Sequence, residues 1–398
     1  MNTRGSLKKM APKGLTSLYK RARAGIIETE FAIFRHFPIK KKRVVLCNVW
    51  GFGDNTKWIA KALRNADKSV EVVFVTDRSA AEHVPGGVRV LQTNTPRAVY
   101  YLATAHIWVD CNRKEPYIQK RTGQIYIQTW HGSLPLKRLE GDYQGLSEEY
   151  MENARRDSSM TDLCLSNSDF MNDIYRKAFG YTCEMQITGS ARMDPLLRPN
   201  AKRVTRTRKE IAALAGIQPE KDLKLAVYAP TYRENGGTIT FPDFAKVRDS
   251  LEKRFGGRFL IVSRVHPLVK EMAGSPANDG YTVDGNGFGD LYELLEASDV
   301  LITDYSNTLF EFGFAHRPVF LYAEDAEEYA DERGFYFDYR ELPYPHSSTS
   351  DELCARIEEY SEFDFRRAQQ EFFDALGIRE DGKASRRIAE LILRKVYR

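Results

Sequence analysis

Two histidines stand where short apolar, β-rich runs give way to polar turns. His131 follows the run 124–129 within Gln128-Thr-Trp-His-Gly-Ser-Leu-Pro-Leu-Lys137, and His266 follows the run 259–265 within Ser263-Arg-Val-His-Pro267. Imidazole titrates near neutrality, which suits it to take a proton from an attacking hydroxyl. Gly132 beside His131 leaves the backbone open to close approach. Arg264 adds a planar fork of donors that matches phosphate oxygens. A third polar turn follows Val300-Leu-Ile-Thr303, where Asp304, Ser306, Asn307 and Thr308 precede a helix begun by Leu309 and Phe310. A strand feeding a helix through such a turn presents free N–H groups and a positive dipole end, an anion site. In Ala229-Pro-Thr-Tyr-Arg233, Thr231 and Arg233 have the chemistry of phosphate contacts. Each feature has a plainer reading: a structural histidine, a capped helix, a surface arginine.

Two further turns are weaker. Gly51-Phe-Gly-Asp-Asn-Thr56 is an incomplete G-x-G-x-x-G, so Asp54 and Asn55 either face an acceptor or cap the next helix. In Gly189-Ser-Ala-Arg-Met-Asp194, Arg192 and Asp194 either reach a cleft or cap a helix. There is no Walker A motif, histidine cluster or D-x-D run. This predicts metal-independent chemistry with no cofactor, leaving room for a loosely held magnesium.

These turns must be positioned by alternating strands and helices. Strands are expected over 44–49, 70–76, 88–92, 107–111, 124–129, 163–166 and 185–189, with helices over 55–64, 98–105, 147–156 and 169–179. Residues 195–222 turn polar and basic, a linker with a helix. A second series follows: strands 223–228, 259–265, 300–303 and 318–322, helices 244–255, 290–297 and 307–315, and closing helices 350–360 and 384–397. The predicted fold is α/β, two Rossmann-like doubly wound domains facing a cleft, and ligands of such sheets bind at the C-terminal strand ends. The expected segments are 1–43, 44–195, 196–222, 223–380 and a last helix 381–398.

At 398 residues the chain is too long for one ordinary domain. Its 29% charged residues and lack of a long apolar run argue against a spanning helix, which needs about 20 apolar residues. No secretory signal is evident, and five scattered cysteines without a C-x-x-C read as reduced thiols of a cytosolic protein. The net charge of +4 hides an asymmetry: residues 1–43 hold twelve Lys and Arg against two Glu. Leu15, Leu18, Ile26, Ile27, Phe31 and Phe34 recur there near helical spacing, and Lys40–Arg43 closes the segment. Such a basic amphipathic helix lies on an anionic membrane or docks on the domain. Nucleic acid is the disfavoured reading, since no aromatic-basic interleaving accompanies the charge.

Trp130-His131-Gly132, Ala229-Pro-Thr-Tyr-Arg233, His266-Pro267 and Thr303-Asp-Tyr-Ser306, in this order, resemble the CDP-glycerol glycerophosphotransferase family of teichoic acid primases and polymerases. The resemblance spans about residues 44–380. It implies two Rossmann-like halves in the GT-B arrangement, an acceptor domain followed by a CDP-donor domain. It implies transfer of glycerol phosphate or ribitol phosphate from a CDP-alditol to a hydroxyl of a lipid-linked glycan, with release of CMP, at the cytoplasmic membrane face. His131 and His266 match the family's motif histidines, and Ser306 with its neighbours matches the turn that holds the donor pyrophosphate. Ser133-Leu-Pro-Leu-Lys137 carries one residue more than the family's usual run.

The expected site is therefore His131 as base and His266 as second imidazole. Thr231, Arg233, Arg264, Asp304, Ser306, Asn307, Thr308 and Glu311 would stand on the donor, Glu311 taking the ribose hydroxyls by analogy with other two-domain transferases. Trp130, Gly132, Asp54 and Asn55 would stand on the acceptor. Two readings compete: a UDP-sugar glycosyltransferase or epimerase on the same architecture, and a non-catalytic membrane scaffold.

Overall fold

The computed structural model describes residues 13–77, 84–218, 222–231, 233, 239–265 and 280–398. His266, Pro267 and Tyr232 lie outside the described residues. Two all-parallel sheets carry the chain. The first has the order β3-β2-β1-β4-β5-β6-β7, built from β1 (Lys40–Cys47), β2 (Glu71–Thr76), β3 (Val88–Gln92), β4 (Ala105–Asp110), β5 (Ile125–Gln128), β6 (Leu163–Ser166) and β7 (Glu184–Ile187). The second has the order β10-β9-β8-β11-β12-β13, built from β8 (Leu223–Ala229), β9 (Arg258–Ser263), β10 (Thr282–Asp284), β11 (Val300–Thr303), β12 (Val319–Tyr322) and β13 (His346–Ser347).

The central strands are apolar throughout because helices cover both faces of a parallel sheet. Val44, Val45, Leu46, Ile107 and Val109 are fully buried in the first sheet, and Leu225, Ala226, Val227, Leu301 and Ile302 in the second. The sheet order reverses between β1 and β4 and again between β8 and β11, and the strand ends at such switch points open a crevice. The segments Cys47–Asp54, Cys111, Thr129–Gly132, Thr231 and Asp304–Thr308 all leave strands in this way.

The structure bears on three of the expected segments. The basic run Lys40–Arg43 is not the end of the amphipathic segment but the first half of β1. Arg43 is buried, donating to Glu71 at 2.8 Å and to Thr104, so the cation is neutralised within the sheet. The helix Lys13–Phe34 docks through Ile27 and Phe31, with Phe31 edge-on to Trp108 and Phe34 edge-on to Tyr100. It nevertheless leaves Ile26, Ile33 and the following Phe37 exposed. Finally, the helix Ala384–Val396 crosses back to the first domain, where Ile388 and Ile392 join the core of Val44, Ile59 and Phe74. Among the described residues no helix is long and apolar enough to cross a membrane.

Candidate active site

The sheets face each other across a cleft of about 1140 Å³. His131 reaches it from the end of β5. Gln128, fully buried, accepts from the N–H groups of Thr129 and Trp130 at 3.0 Å each and so turns the chain sharply. Trp130 takes φ +51°, a costly backbone conformation for so bulky a residue. Its ring offsets this by packing on Phe179 at 4.3 Å between centroids, with the Arg113 guanidinium 5.2 Å from the ring. Trp130 therefore does not face the cleft; it walls a smaller cavity behind it, as does Gly132. A Cβ at Gly132 would meet Asn307 Nδ2 at an ordinary 3.6 Å, so the protein itself does not require glycine there.

His131 Nδ1 lies 2.8 Å from the carbonyl oxygen of Cys111. A carbonyl only accepts, so Nδ1 carries the proton and Nε2 holds the free lone pair. Trp50 packs edge-on against the imidazole at 5.0 Å. The ring is thus held in the tautomer and orientation that a base requires.

The remaining first-domain candidates form a connector. Asn55 is buried; its Nδ2 donates to the carbonyls of Trp130 at 2.8 Å and Thr129 at 3.3 Å, and its Oδ1 accepts from Arg192 N at 3.0 Å. It neither caps the helix Asp54–Ala66 nor reaches an acceptor; it fixes the turn that carries His131. Arg192, also buried, donates to Asp54 at 3.1 Å, to the carbonyl of His131 and to Glu311. Burial opposes its charge, and Glu311 overrides that and raises its affinity for the proton. Asp54 borders the cleft, but one of its oxygens serves this bridge. Glu311 is fully buried, accepting from Arg192, from Ser133 N at 3.3 Å and from Tyr292 OH. The expected role of Glu311 as a ribose acceptor does not fit this placement: the carboxylate is the tie between the domains.

On the second domain the structure separates two arginines that were both expected on the donor. Arg233 is buried, paired with Asp304 at 2.8 Å and Asp325 at 2.7 Å, and lies over the Tyr305 ring at 4.7 Å. Asp304 also accepts from Thr231 N at 2.8 Å. Arg233 and Asp304 are therefore the internal brace of the turn, not donor contacts, because a charge already paired and desolvated has little left to offer a phosphate. Arg264 differs. It borders the cleft and donates to the carbonyls of Phe288 at 2.6 Å and Gly285 at 3.3 Å, with no carboxylate partner among the described residues. Burial pushes its pKa down, Asp290 only partly opposing, so an anion entering the cleft would meet an under-compensated cation. Thr231 Oγ1 is buried without a partner at the cleft wall. Ser306 accepts from the Thr308 hydroxyl at 2.8 Å, and both border the cleft. Asn307 does not cap the helix Thr308–Phe314; its Oδ1 accepts from Leu136 N at 3.0 Å in the opposite domain.

A model of the CDP-glycerol:poly(glycerophosphate) glycerophosphotransferases matches residues 29–394. The chain belongs to this family. It is 28% identical over 94% of its length to the teichoic acid poly(glycerol phosphate) polymerase of Bacillus spizizenii, covering 98% of that protein. It is 27% identical over 97% of its length to the polymerase of the same description from Bacillus subtilis, of which it spans only 52%. The chain thus spans about half of one such relative and nearly all of another. Among solved structures, that of the wall teichoic acid polymerase TagF, as a histidine-to-asparagine variant soaked with CDPG, superposes with a TM-score of 0.80 at 26% identity, covering 97% of this chain and 99% of that one. The two halves of the chain are thus those of a GT-B-type glycerophosphotransferase.

Several residues of this family member escaped the sequence reading. Lys57 is buried and bridges to Asp290 and, at 2.7 Å, to Glu293 of the second domain. Arg206 and Arg203 of the helix Ala201–Leu214 complete the contact on Glu293 and Glu296. The available signal was weak: a lysine in the first turn of the helix Asp54–Ala66, beside the equally buried Asn55, Thr56 and Trp58. Trp50, 52% exposed beside His131, sits in a turn with no periodicity to mark it.

Proposed function

We propose that the chain transfers glycerol phosphate from CDP-glycerol to a hydroxyl of a lipid-linked acceptor and releases CMP. The observation that carries this reading is His131 at the cleft, Nδ1 engaged and Nε2 open, facing a domain whose Arg264 has no carboxylate partner among the described residues. Family membership and the CDPG-soaked relative support the donor.

In this mechanism the acceptor oxygen attacks the donor's β-phosphorus. A new P–O bond forms as the bond to the α,β-bridging oxygen breaks, and its electron pair leaves with CMP. Nε2 of His131 takes the hydroxyl proton. Arg264, with Thr231, Ser306 and Thr308, offsets charge on the phosphoryl oxygens, the main demand of phosphoryl transfer. The pairing of Arg192 and Asn55 with the backbone around His131 holds the base against the donor. The reaction as written needs no metal, and turnover that survives EDTA is the expected result.

The exposed Ile26, Ile33 and Phe37, beside Arg21, Arg23 and Lys40–Lys42, support a peripheral seat on an anionic membrane at the cytoplasmic face. The deciding experiment incubates purified protein with CDP-glycerol, CDP-ribitol and UDP-sugars and measures the nucleotide released. CMP from CDP-glycerol is expected, together with a fall in turnover of roughly 10²–10⁴ in His131→Ala at little cost in donor affinity. UDP release, or full turnover without His131, would overturn the reading.

A further inference from the structure

The chain passes between the domains a second time near its C-terminus, and that passage carries a carboxylate the mechanism leaves unused. The helix Glu362–Ala375 packs on the second domain, with Phe372 stacked on Phe310 and Phe373 4.4 Å from Phe314 between ring centroids. The helix Ala384–Val396 belongs to the core of the first domain. Residues 376–383 are thus a joint, and Glu380 lies within it, against the turns that follow β6 and β7. Both of its oxygens accept from Ser190 N at 3.0 Å, and Oε1 also accepts from Asn167 Nδ2 at 3.1 Å. Gly189 makes room for this seat: its φ is +76°, and a Cβ there would stand 3.0 Å from Glu380 Oε2.

Glu380 has no ion-pair partner among the described residues, and burial raises its pKa, Asp194 adding to the rise. Docking of the joint does not call for such a group, because other contacts already supply it. Arg379 N donates to Asn167 O at 2.8 Å, and Arg387 donates to Thr188 O at 2.6 and 3.0 Å. Asp194 accepts from the N–H groups of Ala384 at 2.9 Å and Ser385 at 2.8 Å. A partly buried carboxylate kept uncompensated beside these contacts points to a use other than holding the chain in place.

Asn167 shows what the carboxylate reaches. The same Nδ2 that donates to Glu380 also donates to the carbonyl oxygen of Ser133 at 2.8 Å, two residues after His131. Ser133 N donates in turn to Glu311 at 3.3 Å. The backbone of Ser133 is therefore held from two sides, its N–H by the second domain and its C=O by the joint through Asn167. The last torsion of an asparagine is broad, and here Glu380 on Nδ2 and the Ser168 hydroxyl on Oδ1 at 3.3 Å fix the amide plane.

We infer that Glu380 is a positioning residue for the transfer: through Asn167 it sets Ser133 and the His131 turn, tying the place of the base to the seating of the joint. It touches neither donor nor acceptor. The inference rests on the transfer reading above and adds to it a residue outside the cleft.

The test follows CMP release from CDP-glycerol with a hexyl glycerol phosphodiester as soluble acceptor, below the melting temperature of every variant. No release by the unaltered protein would sink the transfer reading and this assignment with it; release that Glu380→Ala leaves intact would sink this assignment alone. Glu380→Ala should lower kcat roughly 10–100-fold, the scale of loss that a misplacement of up to ~1 Å produces, at unchanged donor affinity by calorimetry. Glu380→Gln keeps an acceptor for Asn167 and should retain most of the kcat. Arg387→Ala removes bonds to Thr188 and Asp381 without touching Asn167, so it should lower the melting temperature and leave kcat unchanged. Asn167→Ala should match Glu380→Ala, and the double variant should lose no more than the larger single loss, as parts of one unit do. A kcat loss in Arg387→Ala equal to that in Glu380→Ala, a Glu380→Gln protein as slow as Glu380→Ala, or losses that multiply in the double variant would each overturn the assignment.

Discussion

Replacing Arg192 by alanine is the most demanding test of how the site is held. The guanidinium joins Asp54, the carbonyl of His131 and Glu311, and thereby connects the base-bearing turn to the second domain. Arg192 is 3% exposed and Glu311 0%, so the substitution strands a carboxylate away from water with Tyr292 OH and Ser133 N as its remaining partners among the described residues. Removing one member of a buried ion pair costs about 3–5 kcal/mol, chiefly through the uncompensated charge that remains. The Arg192→Ala/Glu311→Gln double variant removes that charge and should recover more than half of the loss, a coupling well above the ~0.5 kcal/mol seen for independent sites. Urea unfolding followed by tryptophan fluorescence measures both. Turnover should fall in the single variant more than donor affinity does, because the freed carbonyl lets His131 drift from its attacking geometry. A single-variant cost below about 1 kcal/mol, or a double variant no more stable than the single, would refute the bridge as described.

Three further expectations follow from particular contacts. Arg264→Ala should weaken CDP-glycerol binding roughly 10–100-fold at unchanged melting temperature, whereas Arg233→Ala, which abandons Asp304 and Asp325, should cost about 3 kcal/mol of stability; calorimetry and thermal melts on the two proteins separate the roles. Burial lifts the Glu380 carboxyl to about 7, against the N–H of Ser190 and the amide of Asn167, which favour its charged form. Its folded pKa exceeds its unfolded one, so this group lowers stability as pH rises from about 4.5 to 7; Glu380→Gln should flatten the melting profile across that window and stabilise the protein at pH 8 by on the order of 1–3 kcal/mol. Ile26→Ser/Ile33→Ser changes only exposed side chains and should reduce cosedimentation with anionic vesicles while leaving the melt intact; unaltered vesicle binding would leave docking on the domain as the helix's role.

The strands and helices that build the core were legible because their signals are local. Val300–Thr303, Leu163–Ser166 and the helix Phe244–Phe255 lie where apolar runs and periodicity put them. β13, two residues long, and β10, three, were not, since strands so short exist only because a neighbour pairs with them. Arg43 looked like surface charge continuous with the exposed Lys40–Lys42, because nothing nearby in sequence announces Glu71 and Thr104, which absorb it.

The same division runs through the site. Sequence alone determined that polar residues end the parallel strands of two α/β halves, and strand polarity then sends them to one crevice whatever the details. It also determined that His131 stands at such an end, beside a glycine. Which of those residues are free to meet a ligand was decided only by the tertiary structure. Arg233 and Arg264 are equivalent as residue types at strand ends, yet one is enclosed by two aspartates that follow β11 and β12 and the other, among the described residues, meets carbonyl groups. Asn55, Asp304 and Glu311 have the chemistry of ligand contacts but are spent on joining turns far apart in the chain. A hydrogen-bonding group can be assigned to a substrate only after the fold has made its own claims on it, and those claims come from long-range partners that no local pattern names.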